Sequence, residues 1–196
     1  MGVDSLAYVV TSGWASGVNV YATVLVTGLL GRVGGVDGVP DVLQRTDVLI
    51  LAGGLWGVEF VADKIPYVDN AWDAVHTVIR PTIGAIIGAL LAGEAQDVNE
   101  AFAAVLGGGT ALASHAAKAG LRLAVNASPE PVSNIILSLL EDGAVVGVIL
   151  FSVNHPYAAL AIALALMAGA GILLVVLFRA IRTTVARFLG ESAAPT

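Results

Sequence analysis

The sequence predicts an all-α integral membrane protein of about six transmembrane helices. Three observations predict it. Of 196 residues, 57% are hydrophobic and 12% charged, with a mean hydropathy of +0.88, whereas soluble domains carry about 25% charge. The apolar residues run on without interruption: after Pro156 no formal charge appears before Arg179, and a helix of about 20 apolar residues crosses a bilayer core about 30 Å thick. Nor does the chain show the alternating ten-residue segments that a closed barrel requires, which leaves helices as the spanning element.

The segments follow in order. The first, 6–30, is apolar but interrupted by Ser16 and Asn19. R-V-G-G-V-D-G-V-P-D-V-L-Q-R-T separates it from the second, 47–62, which ends at the turn D-K-I-P-Y-V-D. The third, 72–92, runs to the acidic stretch G-E-A-Q-D-V-N-E. The fourth, 101–120, contains Gly107-Gly108-Gly109 with no following Lys, a packing or hinge element rather than a phosphate loop. S-P-E-P precedes the fifth, 132–152, and N-H-P joins it to the sixth, 156–180. Proline removes a backbone donor and marks breaks. With Pro66, Pro81, Pro129 and Pro131 as markers, 63–70 and 126–132 are expected to be non-helical turns flanking a site. Residues 1–190 then form one transmembrane domain with halves at about 1–95 and 100–190, and 191–196 are a short cytoplasmic tail.

Lys and Arg set the orientation. Arg179, Arg182 and Arg187 place the tail in the cytoplasm, and six spans bring the N-terminus there too. The loop with Glu94, Asp97 and Glu100 faces out, leaving Arg32 and Arg45 on the unfavoured side. Asp4 stands where a secretory signal needs a basic region, so the first segment is expected to be retained. There is no cysteine, hence no disulfide, and the net charge of −6 argues against nucleic acid.

Shifted by 90 residues, Gly53, Gly57, Val58, Pro66 and Tyr67 meet Gly143, Gly147, Val148, Pro156 and Tyr157. A shift of 98 lays Ala15-Ser16 over Ala113-Ser114. This pattern suggests two inverted three-helix repeats with broken helices, an architecture that places a binding site near the midplane. Glycines four apart, Gly53/Gly57, Gly84/Gly88 and Gly143/Gly147, suit close helix packing within the chain or in a homodimer.

The charges gather in two stripes. Asp69, Asp73, His76 and Arg80 lie at i, i+4, i+7 and i+11, one face of a helix; His115, Lys118, Arg122 and Asn126 lie at i, i+3, i+7 and i+11. Charges at membrane depth cost a few kcal/mol each unless paired or facing water. The two stripes therefore face each other or share a wet cavity. Asp63, Glu130, Asn134, Glu141 and Asp142 converge on the same side, and two adjacent carboxylates cannot both meet one neighbour. Asp69, Asp73 and His76 offer ligands for a divalent ion if another helix adds more. Lys118 and Arg122 suit an anion, with His76 or His115 as a base in lipid-phosphate chemistry. No G-x-S-x-G, H-E-x-x-H or Gly-Lys phosphate loop occurs.

The strings A-S-G-V-N-V-Y, D-K-I-P…D…W-D…H…R-P and N-x-S-P-E-P-x-S-N, with S-H-A-A-K-A-G-L-R before the last, resemble a bacterial membrane family defined as domain of unknown function 4126, over most of the chain to about residue 150. The resemblance implies integral membrane placement and transfers no residue roles. Taken together, the sequence points to a multi-pass plasma (inner) membrane protein, with both termini cytoplasmic, that moves a small solute or ion through a polar site between helices. A membrane-embedded enzyme acting on a lipid and a structural protein with an ion-pair lattice are the alternatives. No cofactor is implied.

Overall fold

The computed structural model describes residues 2–126 and 132–191. All regular structure among them is helical: α1 (Gly2–Val18), α2 (Val20–Arg32), α3 (Asp41–Gln44), α4 (Thr46–Ala62), α5 (Pro66–Ala95), α6 (Glu100–Asn126), α7 (Val132–Ser152) and α8 (Pro156–Glu191). Three stretches are long and apolar enough to cross a membrane: Val68–Ala95, Val132–Ser152 and Pro156–Ala180. α6 is as long but spends part of its surface on charged side chains.

The segment expected as one span at 6–30 is two helices. Asn19 adopts φ −150° and ψ 100°, its side chain caps α2 by accepting from the Ala22 N–H at 2.9 Å, and the chain turns there. Residues on both sides of the turn, Tyr8, Thr11 and Ser12 on α1 and Thr27 and Leu30 on α2, line one cavity, so the helices fold back as a hairpin with Asn19 at its apex. At about 20 Å, α2 falls short of the bilayer core, whereas α1, at about 25 Å, equals α4 in length.

The hairpin changes the topology expected from the sequence. Ser5 reaches Asp97 at 3.0 Å, and Asp4 interacts with Tyr157 at the start of α8. The N-terminus thus sits with the α5–α6 and α7–α8 turns, and the far end of α8 lies at the other end of the bundle. Both termini on one side does not follow, because an arm that folds back adds no crossing. The 90-residue shift does carry helix boundaries across, Ala62/Pro66 onto Ser152/Pro156. But α1 and α6 run side by side in the same direction, with Gly13 on Gly107 and Lys118 Nζ at 3.0 Å from the Val18 carbonyl. α1 and α6 are therefore not an inverted pair.

The tight centre is α1, α5 and α6. A Cβ on Gly84 would stand 2.7 Å from the Ala111 Cβ, and one on Gly88 2.5 Å from the Ala103 carbonyl oxygen. Gly84 and Gly88 are thus a packing pair, whereas Gly57, Gly143 and Gly147 meet nothing. Of the two expected turns, 63–70 shrinks to 63–65, because Pro66 opens α5 at the position where its missing N–H costs nothing. Pro81 lies inside α5 rather than breaking it. Residues 127–131 of the second turn lie outside the described residues.

Polarity is distributed as a membrane solvent demands. Ile50, Val78, Val105, Leu140, Ile172 and Phe178 are exposed, while Glu59, Arg80, Arg122 and His76 are the most enclosed of side chains. Water would favour the reverse.

Candidate functional site

The polar interior is assembled from α4, α5, α6 and α7 around the α1–α2 hairpin. α5 contributes Asp69, Asp73, His76 and Arg80 from one face, all buried, with Val75 and Val78 exposed on the other. α6 contributes Ser114, His115, Lys118 and Arg122 in the same way. Both stripes expected from spacing therefore form, and they meet. The side chain of Asn126, like all of Glu130, lies outside the described residues.

Arg80, at the centre of the 30-residue α5, organises one end. Its Nη2 donates to Glu59 Oε1 at 2.5 Å and its Nη1 to His115 Nδ1 at 2.7 Å, with Asp73 Oδ1 at 2.9 Å. The Gly17 carbonyl, on the last turn of α1, is 3.4 Å away. Lys118 donates to Asp63 Oδ2 and to the Val18 carbonyl, both at 3.0 Å, with Glu59 and Glu141 at 3.8 and 3.7 Å. Arg122 closes the other end. It pairs with Glu141 through Nε and Nη2, and donates to the Asp63 carbonyl at 2.9 Å and to Asn134 Oδ1 at 2.8 Å, with Asp69 at 3.8 Å. Asn134 Nδ2 also donates to the Asp63 carbonyl, so the short 63–65 turn is pinned into the network.

Both imidazoles are committed. His76 Nδ1 donates to the Trp72 carbonyl at 2.7 Å, which leaves Nε2 to accept from the Tyr21 hydroxyl at 3.0 Å. His115 accepts from Arg80 at Nδ1, so its Nε2 donates to Thr77 Oγ1 at 3.1 Å. His115 is thereby a neutral tautomer, and both nitrogens of each ring are occupied. The Asp69–Asp73–His76 metal set does not form, and no group of three His, Asp or Glu ligands gathers among the described residues. The reason is geometric: His76 turns to the hairpin while Asp73 turns to Arg80.

The hairpin apex touches the network directly. Asn19 Nδ2 donates to Asp142 Oδ1 at 2.8 Å. Ser16, one turn back, and Ser138 on α7 are fully buried beside it. Glu141 and Asp142 resolve their adjacency by turning apart, one to the two bases and one to Asn19.

Three members were missing from the sequence-derived set. Glu59 is four residues before Asp63 on an apolar helix, a spacing that would have found it. Tyr21 and Asn19 carry no formal charge, and only the fold brings them to His76 and Asp142.

In charge, the cluster is unbalanced. Glu59, Asp63, Asp69, Asp73, Glu141 and Asp142 surround Arg80, Lys118 and Arg122, with Lys64 half-buried at the margin over the Phe60 ring. Acids outnumber bases even with Lys64 included.

No curated protein and no solved structure matches the chain. The family model described as Domain of unknown function (DUF4126) matches residues 6–180, which take in the hairpin, both stripes and every member of the cluster; the chain belongs to that family.

Proposed function

We propose that the protein moves a small solute or ion across a membrane, with the cluster between α1, α4, α5, α6 and α7 as its polar site. One observation carries this reading: five buried carboxylates and the half-buried Glu141 enclose three buried bases at the apex of a broken helix. An ion-pair lattice that only fixes helix register needs equal numbers, because each uncompensated buried charge is destabilising by several kcal/mol. An excess of acid suits a site whose complement of positive charge is completed by what passes through. The break at Asn19 has the form seen in membrane transporters, where non-helical backbone at depth lines a binding site.

In this reading five helices cross the membrane and the α1–α2 hairpin enters and returns. The end bearing Arg179, Arg182 and Lys64 is cytoplasmic. The N-terminus, with Asp4, and the Glu94–Glu100 turn are then on the opposite face.

The test is flux of protons, alkali cations and small organic solutes in liposomes reconstituted with purified protein. Asp73→Asn and Arg122→Gln should each reduce flux at least tenfold at unchanged protein incorporation. Flux equal to the parent in both variants removes the cluster from the path.

A second reading is favoured by a cleft of about 200 Å³ between α6, α7 and α8. Leu121, Leu137, Leu140, Leu166 and Met167 line it, and Lys118 and Glu141 form its polar floor. That combination suits an amphipathic molecule entering from the lipid side. Lipids retained by the purified protein, and lost in Leu140→Trp, would support it; an unchanged lipid complement in that variant would not.

A further inference from the structure

We infer that Asp142 is the proton-binding carboxylate of this site, loaded from the cavity at the open end of the α1–α2 hairpin; this rests on the transport reading and names what the site takes up. Asp142 differs from every other acid in the cluster. Glu59 and Asp73 meet Arg80, Asp63 meets Lys118 and Arg122, Asp69 lies by Arg122, and Glu141 meets Arg122 and Lys118. Asp142, 7% exposed, has no ion pair among the described residues. Its Oδ1 accepts from the neutral Asn19 amide, and its Oδ2 is buried without a hydrogen-bond partner.

A carboxylate in that position at membrane depth has no paired cation to offset its charge. Uptake of one proton at Oδ2 removes the charge and makes a neutral carboxylic acid. One unpartnered oxygen is enough for a proton and too few for an alkali or divalent cation, which takes about six oxygens.

Polar groups lead from a cavity towards Asp142 in the same structure. A cavity of about 300 Å³ is lined by Asp4, Tyr8, Thr11, Ser12, Thr27 and Ser152 among others, at the N-terminal end of α1. From it Ser12, Ser16 and Asn19 follow at i, i+4 and i+7 along α1 towards Asp142. Thr11 Oγ1 and Ser16 Oγ are buried with no partner, hydroxyls free to hand a proton on. Of the titratable groups, Glu141 is the neighbour of Asp142 in the chain, with Lys118 and Arg122 turned to Glu141, and Lys64 from the end of α4 attracts Asp142. Lys64 donates to the Phe60 carbonyl at 2.6 Å and reaches Ser138 Oγ, one turn before Asp142 on α7, at 3.4 Å; it attracts Asp142 without pairing with it. α1 and α2 present Asn19 there, and α8 has no charged side chain between Tyr157 and Arg179.

Infrared difference spectroscopy of the full chain in lipid nanodiscs, stepped through pH, tests this. A protonated-carboxyl carbonyl band should titrate in the parent and in Glu141→Gln, vanish in Asp142→Asn, and shift in Asp142→Glu. Sodium at fixed pH should leave it unchanged. A band that survives Asp142→Asn, stays unshifted in Asp142→Glu, disappears with sodium, or is absent from the parent overturns the inference. If Asp142→Asn does not fold, the parent titration, the sodium arm and Asp142→Glu still decide. Flux that depends on Asp73 and Arg122 with no titrating Asp142 band sinks this inference and leaves the transport reading. A titrating band with no flux of any probe sinks the transport reading and leaves Asp142 as a proton site.

Discussion

Replacing Arg122 by glutamine should be among the most destabilising single changes in the chain. Arg122 is fully buried, and it alone joins Glu141, Asn134, the Asp63 carbonyl and the Asp69 carboxylate. Glutamine keeps part of the volume and removes the charge. Asp63 then retains Lys118 at 3.0 Å, but Glu141 retains only Lys118 at 3.7 Å, beyond hydrogen-bond reach. Removing one partner of a buried pair costs about 3–5 kcal/mol, because the other charge is left in low dielectric. Adding Glu141→Gln removes that orphaned charge. The double variant should therefore recover about 2–3 kcal/mol relative to the sum of the singles, the upper range for residues sharing one network. Reversible unfolding in mixed micelles measures all three variants. Two results refute the reasoning: a cost below about 1 kcal/mol for Arg122→Gln, as for an exposed pair, or a double variant whose cost equals the sum of the singles.

Two further predictions concern the hairpin. A Cβ at Gly17 would lie 1.8 Å from Ser114 Oγ and 2.2 Å from the Ala111 carbonyl oxygen. Gly17→Ala should thus lower stability by about 1–3 kcal/mol through overpacking, while Gly143→Ala, which meets open space, should be neutral or stabilising in the same unfolding assay. Asn19→Ala should cost about 1 kcal/mol through loss of the α2 cap, and more if the amide donated to Asp142 also contributes; an unchanged unfolding midpoint would show that the apex is not held by this side chain.

The stripes were legible because a helix repeats every 3.6 residues. Asp69, Asp73, His76 and Arg80 share a face on any α-helix, and lipid leaves that face nowhere to turn but inward. Lys118, Arg122 and His115 follow the same rule. The partners were not legible. Which acid meets which base depends on helix rotation and depth, set by the approach of Gly17 to Ala111 and Gly84 to Gly107. Glu59 went unassigned although its spacing to Asp63 was visible, since a single Glu in 47–62 resembles an interfacial residue until α4 is packed on α5.

The first segment marks the same boundary from the other side. Its hydropathy allowed one continuous span, and Ser16 and Asn19 were visible as interruptions. One extended residue then turned the chain back, and set the N-terminal residues beside Asp97 and Tyr157. Hydropathy and periodicity are sums over neighbours in sequence, so the chain alone determined that this protein is helical, lipid-facing outside and charged within. The commitment of both histidines and the setting of Asp142 depend on groups 35 to 123 residues apart meeting within hydrogen-bond distance. Only tertiary structure decided those, because each is the outcome of competition among several nearby donors and acceptors that local sequence does not rank.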